Sequence, residues 1–343
     1  MKIAAAVIVC LLILCLAVAI ALAKKAGRQD PGNASASQNG SGETSVSDDE
    51  AADHSETQDG AAKVEPSSDE AQAPDEAGRT PEPAAEKPVI TLSESDTRTG
   101  DLILVNSSHA YDFEANEATI DLTNIRQGQS FYYQVGNTDM SVAGRILGPL
   151  DQLVASCNAG VGTELTGIES ASRSLDYQQR VWNEMADLYG TDYAQTYVAA
   201  PGYSEHHTGL AVDVGIFYPG GAEGSFSGSD NAAWMNDNSC HYGFVRRYKS
   251  DKVDITGISN EAWHFRYVGI PHAVYMTQQN LCLEEYIDYL STQTSREAPL
   301  QFEADGHTYR VWYTAELTFE EPENAYTVSG TNTGGIVVTE TVG

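Results

Sequence analysis

The segment Ser204-Glu205-His206-His207-Thr208-Gly209-Leu210-Ala211-Val212-Asp213 constrains this chain more than any other, together with Glu261-Ala262-Trp263-His264 further on. His206 and Asp213 are seven apart. On a flat strand an odd spacing sends side chains to opposite faces, so the two converge only where the chain bends between them. Thr208-Gly209 supplies that bend, because glycine tolerates dihedrals that other residues do not. His206 then belongs to a loop and Asp213 to the strand it enters. Glu261 and His264 are three apart and need a turn or a strand entry, with Trp263 wedged between them.

The donor types point to a metal. Zinc takes imidazole nitrogen and carboxylate oxygen, and a hydrolytic zinc site keeps three protein ligands and one open position for water. His206, Asp213 and His264 fill the three places, and Glu261 is left as a base for the water. His207 is passed over because its neighbour holds the motif position. A lone histidine is usually a hydrogen-bonded surface or core residue. Two histidines, an aspartate and a spare glutamate within two compact motifs are not explained that way.

The rest of the chain divides by composition. Residues 3 to 23 are purely Ala, Val, Ile, Leu and Cys, between Lys2 and Lys24-Lys25. About 20 apolar residues suffice to cross a bilayer as a helix. Residues 1–25 are therefore expected to be a membrane anchor, or a signal segment cleaved after Ala23. Residues 26–88 are rich in Ala, Ser, Gly, Pro, Asp and Glu and lack aromatics, so they cannot bury enough apolar surface to offset chain entropy. They are expected to be a disordered acidic linker that lets the following domain reach outward from a membrane. The net charge of −30 argues against nucleic acid as a partner, since phosphate binding needs a basic stripe. Cys157, Cys240 and Cys282 lie beyond the apolar run without metal or redox spacing; buried free thiols are expected, with one oxidised pair outside the cytoplasm as the alternative, and the sequence does not say which pair.

Residues 89–294 carry the motifs. Asp101–Asn106 reads as a short strand, and Ala118–Val135 suggests more extended chain. Leu150–Cys157 has apolar residues at helical spacing, with Pro149 suited to a helix start. Leu175, Val181, Trp182, Met185, Leu188 and Tyr189 form a helical stripe that Ser174 can cap and Gly190 can end. Leu210–Ile216 and Trp263–Val268 read as strands. Asn231–Ser239, the stretch opened by Pro271, and Leu283–Leu290 read as helices. The fold class is α+β: a small antiparallel sheet with flanking helices around the zinc site. Residues 295–343 add a small C-terminal β appendage, with a hairpin turning at Asp305-Gly306.

The two motifs resemble the signatures of the VanY-type zinc D-alanyl-D-alanine carboxypeptidases, Ser-x-His-x-x-Gly-x-Ala-x-Asp and Glu-x-Trp-His-x-Arg-Tyr-Val-Gly. Here they stand complete as Ser204 to Asp213 and Glu261 to Gly269. Leu104-Val105-Asn106, Tyr242-Gly243-Phe244 and Asp254-Ile255-Thr256-Gly257 add to the resemblance, which runs from about Gly100 to Leu290. It implies His206, Asp213 and His264 as Zn2+ ligands and Glu261 as general base. A third family element reads here as Ser170-Ala171-Ser172-Arg173-Ser174, then Tyr177-Gln178. Arg173 matches the family's active-site arginine. Ala171 and Ser172 replace a glycine and an aromatic, which changes the cleft lining. By the same resemblance Ser204 and Gln178 are substrate contacts.

The expected activity is removal of the terminal D-alanine from peptidoglycan stem peptides, outside the cytoplasm. L,D-carboxypeptidase action on tetrapeptide stems uses the same metal site and is one alternative. A non-catalytic, zinc-stabilised wall-binding protein is another, and the retention of Glu261 and Arg173 argues against it.

Overall fold

The structure, a computed structural model, describes residues 87–117 and 120–343. The anchor or signal segment and nearly all of the linker lie outside the described residues. Among the described residues no helix is long and apolar enough to cross a membrane.

The central sheet is antiparallel and built from β1 (Thr166–Ser170), β2 (Ala211–Phe217), β3 (Phe244–Tyr248) and β4 (Glu261–Tyr267), in spatial order β1-β2-β4-β3. A two-residue strand, Glu223–Gly224, pairs with the end of β2. One face of β2 presents Val212, Val214 and Ile216 to a core closed by helix α1 (Gly144–Val161), through Ile146, Leu150, Leu153 and Val154. Asp213 and Gly215 alternate with these residues and lie on the other face. That face carries the site.

Helix α1 begins at Gly144, earlier than its sequence suggests. Pro149 lies inside it and gives up one backbone bond rather than starting the helix. Helix α2 (Leu175–Tyr189) is capped by Ser174, whose Oγ accepts from the Tyr177 amide, and is ended by Gly190. Helices α3 (Asp230–Asn238), α4 (Ile270–Gln278) and α5 (Leu283–Gln293) also form where expected.

Two expected extended stretches are different. Leu102 to Val105 are buried but form no strand. Arg266 donates to the carbonyls of Asp101 and Ile103, at 2.9 and 3.0 Å, so a side chain takes what a sheet partner would have taken. Among the described residues of Ala118–Val135 only Leu122–Asn124 is a strand, and it is followed by a single helical turn, Ile125–Gly128.

The C-terminal region forms a four-stranded antiparallel sheet from β5 (Leu300–Ala304), β6 (His307–Thr314), β7 (Tyr326–Gly330) and β8 (Ile336–Thr341). Asp305 and Gly306 both have positive φ, 47° and 81°, the geometry of a tight two-residue hairpin. Ala304, Val311 and Val337 of this sheet share a core with Leu283, Tyr286, Ile287 and Leu290 of α5. Cys157, Cys240 and Cys282 are free and buried.

His272 pins this junction. Its ring is buried between the Tyr286 hydroxyl, 2.9 Å from Nδ1, and the Thr339 hydroxyl, 3.1 Å from Nε2. Burial pushes it from its ordinary 6.5 down to about 3. The folded state thus holds a neutral ring that the unfolded chain would protonate. Stability from this site is full above pH 6.5 and is lost as pH falls from there towards 3. We expect the thermal midpoint to drop across that window, and the drop to shrink in His272→Gln. Calorimetry against pH measures both.

Candidate active site

The residues after Ser204 form a short 3-10 turn, Glu205–Thr208, which Gly209 ends at φ +66° before the chain enters β2. This is the bend required by the spacing of His206 and Asp213. Filling the space at Gly209 with a Cβ would meet Leu122 Cδ2 at 2.9 Å and the Ala143 amide at 3.0 Å, so packing as well as dihedral demands glycine there.

Glu261 and His264 are brought together differently from what was expected. Both lie on β4 itself, not at a turn or strand entry. Arg246 of β3 pairs with Phe265, whereas Tyr248, two residues on, pairs with Glu261, four residues back. This irregularity puts two extra residues into β4 opposite β3. It lets an odd spacing face one way, with Glu261 Oε2 3.8 Å from His264 Nδ1.

His206, Asp213 and His264 each offer one ligand atom, all within 4.8 Å of one another. His206 Nδ1 lies 2.6 Å from the Ala171 carbonyl, so it carries the proton and leaves Nε2 facing Asp213 Oδ2 at 3.3 Å. His264 presents Nδ1 to Asp213 Oδ1 at 3.0 Å, and its Nε2 meets Glu205 Oε2 at 3.2 Å. The two imidazoles pack edge to face, with centroids 4.9 Å apart. All three residues are buried.

The electrostatics suit a cation. Burial, then the neighbouring Arg173 charge, lowers His206 to about 4, so its ring is neutral at ordinary pH. Burial opposes charge on Asp213, but the two histidines and Arg173 outweigh it and hold the carboxyl well below the usual range. Burial would also lower His264, yet its bonds to Asp213 and Glu205 raise it to about 9. Burial is the main cause that lifts Glu261 to about 8. An acid raised this far suits proton exchange near neutral pH.

Arg173 arches over the site. Its Nη2 donates to Asp213 Oδ2 and Ser170 Oγ, both at 2.8 Å, and its Nη1 to Gln178 Oε1 at 3.3 Å. The two residues expected as substrate contacts are both buried, with partners inside the protein. Gln178 braces Arg173 and donates to the Ala199 carbonyl at 2.8 Å. Ser204 Oγ accepts from the His206 amide at 3.4 Å. His207 holds the Arg173 loop: Nδ1 donates to the Arg173 carbonyl at 2.8 Å, and Nε2 accepts from the Gly202 amide at 3.1 Å.

A role for Glu205 was not apparent from the motif. Its side chain has no solvent exposure and receives Arg247 Nε at 2.8 Å and Arg266 Nη1 at 3.1 Å, while its other oxygen faces His264. Arg247 continues to Glu284 at 2.7 Å. A carboxylate behind a ligating histidine fixes its tautomer and its ring orientation. The sequence signal was a carboxylate in the first motif and Arg266 in the second, while Arg247 lies in neither.

This geometry can be set beside known proteins. The family model VanY, D-alanyl-D-alanine carboxypeptidase, matches residues 140–270, which include Arg173 and every residue of the cation site. A D-alanyl-D-alanine carboxypeptidase of Enterococcus faecium is 32% identical over 255 residues, covering 73% of this chain and 78% of the relative. The chain belongs to the D-alanyl-D-alanine carboxypeptidase family. Another member similar to it is the bifunctional D-Ala-D-Ala dipeptidase and D-Ala-D-Ala carboxypeptidase VanXYC of Enterococcus gallinarum, 43% identical over 141 residues, 38% of this chain and 74% of the relative. Among solved structures, the vancomycin resistance D,D-dipeptidase VanXYg, in complex with a D-Ala-D-Ala phosphinate analog, aligns with a TM-score of 0.66. The identity is 28%, over 75% of this chain and 100% of that chain.

Proposed function

We propose that this carboxypeptidase-family chain is zinc-dependent and removes the terminal D-alanine from peptidoglycan stem peptides. The observation that carries it is the buried His206–Asp213–His264 group with Glu261 beside it, in a chain of that family. The donor set fits zinc: two imidazole nitrogens and one carboxylate oxygen, all close to one another. Zinc bound there would supply an acidified water and a Lewis acid for the scissile carbonyl.

The chain's own residues do the rest. Glu261 takes the proton from the attacking water and returns it to the departing amine. Arg173, held by Ser170 and Gln178, aims positive charge at the site. It stabilises the developing oxyanion or grips the peptide's terminal carboxylate. Arg173→Ala is expected to lower kcat/KM about 10²–10³-fold. A loss carried by kcat assigns the oxyanion role, and one carried by KM assigns the carboxylate grip. An unchanged kcat/KM removes Arg173 from the reaction.

The apolar run at residues 3–23 and the acidic stretch after it support action outside the cytoplasm, tethered to the membrane by residues 1–25. The function is tested by incubating the protein with UDP-linked pentapeptide and, separately, tetrapeptide, and weighing the products. Loss of one alanine from the pentapeptide alone is expected. Loss from the tetrapeptide alone would replace this function with L,D cleavage.

A further inference from the structure

Helix α5 covers only part of the inner face of the C-terminal sheet. Val311 and Val337 on that face pack against the helix. Thr339 pairs with Val311 on one side and with Thr327 on the other, and Thr341 pairs with Tyr309, so all of these share the face. Past the helix the face changes from apolar to hydroxyl-bearing. There Tyr309, Thr327 and Thr341 line a cleft of about 670 Å3 instead of a core. The opposite wall includes Tyr111, Arg145 in the first turn of α1, and Tyr267 at the end of β4. His206, Asp213, His264, Glu261 and Arg173 do not line it, so the cleft is separate from the active site. Its walls are tied together: the Leu102 amide donates to Ser329 Oγ and the Gly330 amide to the Thr99 carbonyl, both at 2.8 Å. The space is therefore preformed, and its size is that of a small-molecule site, roughly 300–1,000 Å3.

The lining describes the occupant. Among the described residues the hydroxyls of Tyr111, Tyr267 and Tyr309 have no hydrogen-bond partner. Tyr111 is only 6% exposed, and a phenol that buried usually finds one. The charges in the walls are already matched, since Arg145 Nε meets Asp101 Oδ1 at 2.7 Å. His272, at the floor, is bonded through both ring nitrogens. Tyrosine faces and free hydroxyls, with no charge left over, suit a ligand that is neutral, rich in hydroxyls and flat on one side. That is a sugar. An extended peptide would instead seek a free strand edge, and the end of β7 is held here by Thr99.

We propose that the cleft between the C-terminal sheet and the catalytic region binds a neutral chain of N-acetylated amino sugars. This rests on the proposed function, because stem peptides are carried on chains of such sugars. A glycan held there keeps the enzyme on its polymer between cleavages, and it gives the C-terminal sheet a binding role that the chemistry does not require of it.

The test is an NMR titration of the protein with fully N-acetylated chitotetraose. Cleavage of Nα,Nε-diacetyl-Lys-D-Ala-D-Ala, which carries no sugar, is measured alongside. Saturable binding at one site is expected, weakened about 3- to 10-fold in Tyr309→Ala by loss of one aromatic face. Thr327→Trp fills the cleft from an exposed strand position and is expected to abolish binding. Both variants should keep the wild-type kcat/KM on the peptide, which also reports that they are folded. No saturable binding by the wild type, or binding undiminished in both variants, would overturn the inference while peptide cleavage leaves the carboxypeptidase standing. Peptide left uncleaved by a wild-type protein that binds the tetramer would overturn the proposed function alone.

Discussion

Glu261→Gln is expected to lower kcat by about 10²–10⁴-fold while the protein still folds and still binds its metal. The change keeps the size of the side chain and removes only its ability to take a proton. Glu261 is not one of the three residues grouped for the cation, so metal content should stay at one per chain. Its Oε2 lies 3.8 Å from His264 Nδ1, near enough to serve a water held at the same cation. Burial has already raised its carboxyl to about 8, the range in which accepting and releasing a proton are both easy. Activity and metal content measured on the same preparation separate the two effects. A variant that turned over normally would remove Glu261 from the base role. A variant that lost the metal would make it a fourth ligand.

The second large effect is expected at Glu205. This carboxylate has no solvent exposure and balances two guanidinium groups that are equally buried. In Glu205→Gln, Arg247 keeps Glu284, but Arg266 loses its carboxylate partner. Breaking a buried pair by removing one partner costs about 3–5 kcal/mol, because a charge is left uncompensated. For a domain of this size that lowers the thermal midpoint by roughly 10 °C. The same change releases His264 Nε2 from its carboxylate, and losses of about 10–100-fold in metal affinity follow from such changes. Calorimetry of the metal-free protein and a zinc titration read the two consequences separately. If the midpoint and the affinity both hold, Glu205 neither balances the arginines nor orients the ring.

The metal group was legible in the sequence because its chemistry sits in two short motifs. The spacing of His206 and Asp213 demanded a bend, and Gly209 supplies it at φ +66°. Ser174 and Gly190 likewise marked the ends of α2 through local hydrogen bonding and backbone freedom. What could not be read were features set by register and by distant partners. The slip opposite Arg246 and Tyr248 places Glu261 beside His264, and nothing in either strand's composition announces it. Leu102 to Val105 have the apolar character of a strand, but Arg266 bonds the carbonyls around them in place of a neighbouring strand. Gln178 lies on a helix, as its spacing suggested, yet it faces inward against Arg173. Side-chain contacts across the fold decide such positions, and local periodicity does not encode them.

The most direct test of the account is chelation and reconstitution. The protein would be stripped of metal, assayed for D-alanine release from UDP-linked pentapeptide, and assayed again after one equivalent of zinc. The account predicts no release from the stripped protein and recovery on zinc addition, with one zinc bound per chain and neither binding nor recovery in His206→Ala. Release by the metal-free protein, or zinc binding that restores no release, would contradict it.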